Sequence, residues 1–216
     1  MVKNIAYLTG LLVVGYLSYH YPLFSFVLLA ILGLILCYLL LALVIKLIQK
    51  RIQGKWFHVP LALLSIIVVG LITGFLAPLE EPLTTTGNVS EDLEYAHRMD
   101  QADRMNLKFF IPAFRSQMKG RDSVRLNQVL DYSRAGKIAK GRDKYYAAFV
   151  LHHNPEKDSL LYRKAHELAQ AAASETDLTD DFQVQWLSKA TYDRWMLSIG
   201  KEQEHDTQGG VSFELQ

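Results

Sequence analysis

The chain has 216 residues and a formal net charge of +1, but its charges are divided very unevenly. Residues 1–78 carry five basic residues and no Asp or Glu, whereas residues 79–216 carry 18 basic residues and all 22 acidic ones. This separation excludes a purely soluble protein and indicates a membrane region followed by a folded domain. The single cysteine excludes a disulfide framework, and the net acidic second half argues against a nucleic-acid partner.

Three apolar segments predict a membrane anchor over residues 1–78, with transmembrane helices at about 5–20, 23–46 and 59–78. A helix needs about 20 residues to cross a hydrocarbon core of roughly 30 Å. The second and third segments meet this length, and the first does so if its polar flanks lie among the lipid headgroups. No small-residue cleavage site follows the first segment, which argues against a signal peptide. The lipid bilayer is therefore the first expected partner.

Basic residues predict how the anchor is oriented. Lys46, Lys50, Arg51 and Lys55 lie between the second and third segments, and Lys3 precedes the first. The positive-inside rule places these residues in the cytoplasm. The domain after residue 78 is then expected outside the cytoplasmic (inner) membrane of a bacterium. Each segment lacks an ionisable residue at its middle, which favours an anchor over a transporter, and the uniformly apolar second segment argues against a pore.

Gly70 and Gly74 form a pattern of small residues four positions apart, which allows two helices to approach closely. Such a pattern is common in apolar helices, so packing within the three-helix unit is the favoured interpretation. The alternative interpretation is that these glycines form the contact of a homo-oligomer.

Residues 79–90 have the composition of a linker, and residues 91–208 predict one soluble all-α domain of about five helices, followed by a flexible tail at 209–216. Ser90 is the expected N-cap of the first helix. Breaks between helices are expected at Lys119-Gly120, Ala135-Gly136, Asn154-Pro155 and 176–180. The predicted core positions are Tyr95, Met99, Ala102, Met105, Leu126, Val129, Leu130, Ser133, Tyr146, Phe149, Val150, His153, Leu161, Ala165, Leu168, Ala172, Phe182, Trp186, Ala190, Asp193 and Leu197. The apolar segment 107–116 is expected to pack on this core or to lie on the membrane surface.

Two polar residues occur at core positions of this pattern. Asp193 has helical spacing from Trp186 and Ala190, and His153 ends an apolar stripe in the same way. A buried carboxylate has to be paired or hydrogen-bonded. The favoured interpretation is a polar network that stabilises the bundle, and the alternative is a functional site between helices.

The polar residues also carry a resemblance to a known family. The chain reads DQADR from Asp100, FVLHHN around His153 and DRWMLSIGKEQEHDTQ from Asp193 to Gln208. These elements resemble the bacterial helical domain-of-unknown-function family numbered 6624, over residues 93–208 only. That family has Asp-Gln-x-x-Arg, a Gln-His pair and Asp-Arg-x5-Gly-x2-Gln-x-Tyr-Gly-Thr-Gln. Here His152 replaces the Gln, and His205-Asp206 replaces Tyr-Gly. The resemblance implies an all-helical fold and candidate positions, but no activity.

Two functions follow as hypotheses. The first is a membrane-tethered interaction or sensor domain with an envelope protein partner. The second is an envelope enzyme, hydrolase-like, in which carboxylate, imidazole and guanidinium groups act as base, acid and anion clamp. The candidate catalytic residues are Asp100, Arg104, His153, Asp193 and Arg194, and the candidate ligand-binding residues are Gln101, Gln203, Thr207 and Gln208. The sequence lacks a Gly-x-Ser-x-Gly or His-Glu-x-x-His motif, and no cofactor or metal site is expected.

Overall fold

The computed structural model describes residues 2–49 and 54–209, and over these residues the chain is helical without a strand. Within these ranges the eight α-helices are α1 (Val2–His20), α2 (Phe24–Gln49), α3 (Lys55–Leu76), α4 (Val89–Arg104), α5 (Arg115–Arg134), α6 (Gly141–His152), α7 (Ser159–Ala173) and α8 (Phe182–Ser198). Short 3₁₀ helices occur at Leu107–Phe110, Pro112–Phe114 and Thr176–Leu178. The all-α class predicted from the sequence is confirmed. Most of the predicted tail and part of the loop between α2 and α3 lie outside the described residues.

The described chain forms two compact units. The first comprises Met1–Leu79 with Arg104–Pro112, and the second comprises Glu80–Asp103 with Ala113–Gln216. Most of the apolar segment that follows α4 therefore belongs with the N-terminal helices.

Two of the helices, α2 and α3, are long and apolar enough to cross a membrane. Only 11% of the residues in the most apolar stretch of each are buried, which is unlike a helix in the core of a soluble domain. The prediction of three such helices is wrong in this respect. The first segment does form a helix, α1, but Lys3, Asn4 and three tyrosines lower its hydropathy.

Close packing in the first unit depends on the two glycines of α3. A Cβ atom on Gly70 would lie 2.5 Å from Val14 Cγ1, and one on Gly74 would lie 2.7 Å from Ser25 Oγ. Both glycine faces are thus covered by α1 and α2 of the same chain. These are the faces that a homo-oligomer through Gly70 and Gly74 would need.

The second unit has two apolar clusters, and α6 contributes to both of them. The first cluster brings α4, α5, α6 and α7 together, and its buried residues are Leu93, Ala96, Leu126, Val129, Ala147, Val150, Leu151 and Ala165. The second joins α6, α7 and α8 through Tyr145, Ala148, Ala169, Ala172, Leu178, Val184 and Leu187. The helix α6 therefore packs against helices on two sides, and Leu151 and His152 at its end are buried.

Three local expectations are corrected. The helix α5 continues through Lys119-Gly120, where a break was predicted. The cap of α4 comes from Asn88, whose Oδ1 accepts from the Ser90 backbone N–H at 3.1 Å, while the Ser90 hydroxyl donates to Asp143. The predicted core stripe of α4 is rotated, so that Met105 is exposed while Asp92, Asp100 and Asp103 are buried.

Candidate functional site

A carboxylate–imidazole pair joins α4 to the end of α6. His153 Nδ1 lies 2.8 Å from Asp100 Oδ2, and the Gln101 side-chain amide donates to the same oxygen at 2.9 Å. Asp100 is buried and His153 is partly exposed. A carboxylate that accepts from Nδ1 orients the ring and favours the tautomer with its proton on that nitrogen. The sequence elements Asp100-Gln101 and His153 are therefore brought together.

An aromatic cleft lies beside this pair. Its volume is about 220 Å³, and it is lined by His97, Gln101, Tyr145, Phe149, Phe182, Gln183 and Trp186. Gln101 connects the cleft to Asp100, and the Phe149 ring lies 5.1 Å from the His153 ring. The cleft thus has ring faces on its walls and a hydrogen-bonded polar pair next to it.

The outer wall of the cleft comes from α8. Phe182 and Trp186 were expected in the core, but they are 79% and 41% exposed. Asp181 caps α8 by accepting from the Gln183 and Val184 backbone N–H groups, which sets where the helix begins. The helix buries Val184 and Leu187 instead. The two large rings are therefore available on the cleft side of α8.

His97 and Tyr145 are the titratable side chains that line the cleft. The His97 ring contacts Tyr145, Tyr146 and Phe149 with centroids 4.7 to 5.4 Å apart. Burial lowers the pKa of His97, the nearby Asp100 charge opposes this effect only in part, and His153 reinforces it. Burial also raises the pKa of Tyr145 to about 12. At neutral pH the cleft therefore has an uncharged lining.

A second polar cluster forms at the C-terminal turn. Asp193 is fully buried, and its Oδ1 accepts from the backbone N–H groups of Glu204 at 2.9 Å and His205 at 3.0 Å. Its Oδ2 accepts from the Thr207 backbone at 3.0 Å and from the Thr207 hydroxyl at 2.7 Å. Burial disfavours the charge, but these bonds outweigh it and hold the pKa of Asp193 below its ordinary value. Asp193 thus organises the turn.

Arg194 and Gln208 connect this turn to the helices. Arg194 Nε donates to Gln208 Oε1 at 2.8 Å, and its Nη1 donates to the His152 carbonyl at 3.0 Å. Gln208 is buried and also donates to the Ala190 carbonyl, while its backbone N–H donates to Gln203. The ligand-binding candidates Gln203, Thr207 and Gln208 therefore bind one another and residues of α8.

The five catalytic candidates do not form one constellation. Asp100 and His153 meet beside the cleft, whereas Asp193 and Arg194 belong to the C-terminal turn. The two clusters adjoin at the end of α6, because Arg194 binds the carbonyl of the residue before His153. Arg104 is the last residue of α4 and belongs to the first unit, where its guanidinium lies 5.4 Å from the Phe109 ring centroid.

Sequence reasoning missed a buried ionic network. Arg125 has no exposed side-chain surface and donates to Asp103 at 2.7 Å and to Asp122 at 2.5 Å, and Arg121 also donates to Asp103. Burial disfavours the Arg125 charge, but Asp103 and Asp100 together raise its pKa above the ordinary value. A signal was present in the sequence, since Asp100 and Asp103 are one helical turn apart. Their cationic partner, Arg125, is on another helix, and the spacing of residues along α4 does not predict it.

Comparison with protein-family models, with curated proteins and with solved structures found no match. Among the described residues there is also no group of three or more His, Cys, Asp or Glu placed to hold a metal ion.

Proposed function

We propose that the chain is an integral membrane protein of the bacterial envelope whose helical domain is a binding or sensor module outside the cytoplasm. The acid-free first half and the largely unburied apolar helices α2 and α3 support the membrane location. The basic residues between these helices support a cytoplasmic loop and an external domain. We further propose membership of family 6624, because residues of its motifs contact one another: Asp100 binds His153 of another motif, and Asp193 binds Thr207 within the C-terminal motif.

The aromatic cleft is the observation that carries the binding function. Five of its seven lining residues have rings, and the other two, Gln101 and Gln183, have amides. Exposing Phe182 and Trp186 to water costs hydrophobic free energy that a ligand would recover. The buried and fully bonded Asp193 supports a structural role for the C-terminal turn, so the functional assignment rests on the cleft.

The cleft suits a small, uncharged ligand with one ring. Its volume of about 220 Å³ is below the range of roughly 300–1,000 Å³ typical of drug-sized ligands. Aromatic walls stack on the flat face of a ring, and the two amides can donate to or accept from its polar substituents. A monosaccharide-sized molecule has both features.

Ligand-observed saturation-transfer NMR on the full chain in detergent micelles tests this proposal. The probes are glucose, N-acetylglucosamine, indole and choline, which separate sugar, amide, planar-aromatic and cationic recognition. Binding of a sugar is expected to weaken roughly ten-fold or more in Trp186→Ala, because one stacking ring is lost. Leu160→Ala on α7 is the control, because it removes an exposed apolar side chain (71% exposed, against 41% for Trp186) that does not line the cleft. Equal signals from wild type and Trp186→Ala for every probe would refute the assignment.

The Asp100–His153 pair supports an envelope enzyme as the second candidate. His153 Nδ1 contacts the Asp100 carboxylate, which is the arrangement by which an acidic residue orients a general-base imidazole. If the domain is an enzyme, His153→Gln is expected to abolish turnover of a sugar-derived substrate while ligand binding persists. If the domain is a binding module, the same variant is expected to keep its affinity, and neither the variant nor the wild type is expected to turn over the substrate.

Sidedness is tested separately with a C-terminal reporter. Alkaline phosphatase fused after residue 216 is expected to be active and a fluorescent protein inactive, because only the former matures outside the cytoplasm. The opposite pattern would place the domain in the cytoplasm and would leave the cleft argument intact.

A further inference from the structure

The segment between α4 and α5 is attached to the end of a membrane-crossing helix. Lys108 is buried, and its Nζ donates to the Ala77 carbonyl at 2.6 Å. Ala77 is the C-cap of α3, where the partial negative charge of the helix end favours a cation. Asn106 starts the 3₁₀ helix by accepting from the Lys108 backbone N–H at 3.0 Å. The backbone N–H and the side-chain ammonium of Lys108 are therefore both hydrogen-bonded.

The same segment is attached to the beginning of α2. The Phe110 ring meets the Phe26 ring edge to face with centroids 5.8 Å apart, and the Phe109 ring meets Phe110 at 5.4 Å. Despite these contacts, Phe109 is 37% and Phe110 is 63% exposed. Two adjacent aromatic rings thus present an open apolar surface next to the first turn of an apolar helix.

The start of α2 and the end of α3 lie at the same membrane face. These helices are consecutive and packed together, with only residues 50–54 between them, so they run in opposite directions. Phe26 and Ala77 therefore mark the same boundary of the hydrocarbon core. A segment bound to both is held at that boundary, where aromatic side chains are favoured.

We propose that Leu107–Phe110 is an interfacial wedge, in which Phe109 and Phe110 insert into the boundary between headgroups and acyl chains of the membrane crossed by α2 and α3. The partner is the lipid bilayer itself. The buried Lys108 acts as the clamp that sets the depth of the two rings. This inference rests on the proposed membrane location and is independent of the ligand cleft.

Depth-dependent fluorescence quenching on the full chain tests the wedge. Trp56, Trp186 and Trp195 are replaced by Phe, Phe110→Trp is added, and the protein is reconstituted into phosphatidylcholine vesicles. The new indole is expected about 5–10 Å below the surface. It should be quenched more by lipids labelled near the headgroup than by lipids labelled at the chain end, and should be protected from aqueous iodide. Leu160→Trp in the same background, at a similarly exposed site on α7, should be quenched by iodide.

The possible outcomes distinguish failure of the wedge proposal from failure of the proposed membrane location. Protein that does not float with the vesicles after alkaline carbonate washing would overturn the membrane location. Protein that floats but has an iodide-accessible residue 110, or one quenched best at the chain end, would overturn the wedge alone. Should Phe110→Trp fail to fold, a spin label on Phe110→Cys in a Cys37→Ser background gives the same depth from its accessibility to oxygen and to aqueous nickel. Greater oxygen accessibility supports the wedge, and greater nickel accessibility overturns it.

Discussion

The carboxylate of Asp193 holds the C-terminal turn in place, and Asp193→Asn is expected to destabilise the second unit by about 3 kcal/mol. The Asn oxygen can keep the two bonds from Glu204 and His205. Its amide nitrogen, however, faces the two donors of Thr207 at 2.7 and 3.0 Å. Two bonds to a charged acceptor are lost at roughly 1.5–3 kcal/mol each, and rotation of the Thr207 hydroxyl recovers part of that.

The measurement is chemical denaturation of the full chain in detergent, together with hydrogen exchange across residues 201–209. The variant should unfold at lower denaturant with an unchanged slope, and exchange should rise first in the turn. Asp206→Asn is the matched control, because Asp206 is exposed in the same turn and its φ of 53° suits Asn. Equal midpoints for Asp193→Asn and Asp206→Asn would refute the account of Asp193 as the centre of the turn.

The stabilisation from Asp193 should also depend on pH. Because its folded pKa is below the ordinary value of 3.8, its contribution is complete above that pH and is lost as the pH falls through the folded pKa. The wild-type midpoint should therefore decline below about pH 4, and Asp193→Asn should flatten that decline. A decline of the same size in both proteins would contradict the assignment.

Further predictions concern other parts of the chain. Arg125→Met should cost about 3–5 kcal/mol in the same denaturation assay, because it leaves buried carboxylates without their cation, whereas Arg134→Met at an exposed pair should change nothing measurable. Gly70→Val should destabilise the first unit by about 1–3 kcal/mol and lower its melting temperature in detergent, because a Cβ at residue 70 meets side chains of α1 and α2. Gly33→Val is the control and should leave the melting temperature unchanged, because a Cβ at residue 33 has no neighbouring side chain within 4 Å. Equal melting temperatures for the two glycine variants would reject this packing. His97 should titrate below 6.5 by NMR, so its contribution to stability is complete above that pH and declines as the pH falls toward the lower folded value.

Local patterns were sufficient where one physical effect dominates. The absence of Asp and Glu before residue 79 and the length of two apolar segments indicate α2 and α3 without tertiary information, because desolvating a charge in hydrocarbon is expensive. Helical periodicity likewise predicted all five helices of the second unit, which form as α4 to α8. Gly200, with φ of 75°, follows Ile199, the C-cap of α8, at the position where glycine commonly ends a helix.

Patterns failed where a residue's role depends on a partner far along the chain. Phe182 and Trp186 have the spacing of core residues, yet the position of α8 places both beside a cleft. Asp103 resembles a surface carboxylate until Arg125 of another helix is placed against it.

The sequence by itself determined the apolar helices, the helical domain and the polar residues that cannot be buried alone, because hydrophobic length and helical period are local properties. Only the tertiary structure decided that Asp100 pairs with His153, that Asp193 holds a turn and that the segment around Phe110 belongs with the N-terminal helices. These outcomes depend on which helix faces which. That is set by the packing of all the helices together, and no single segment encodes it.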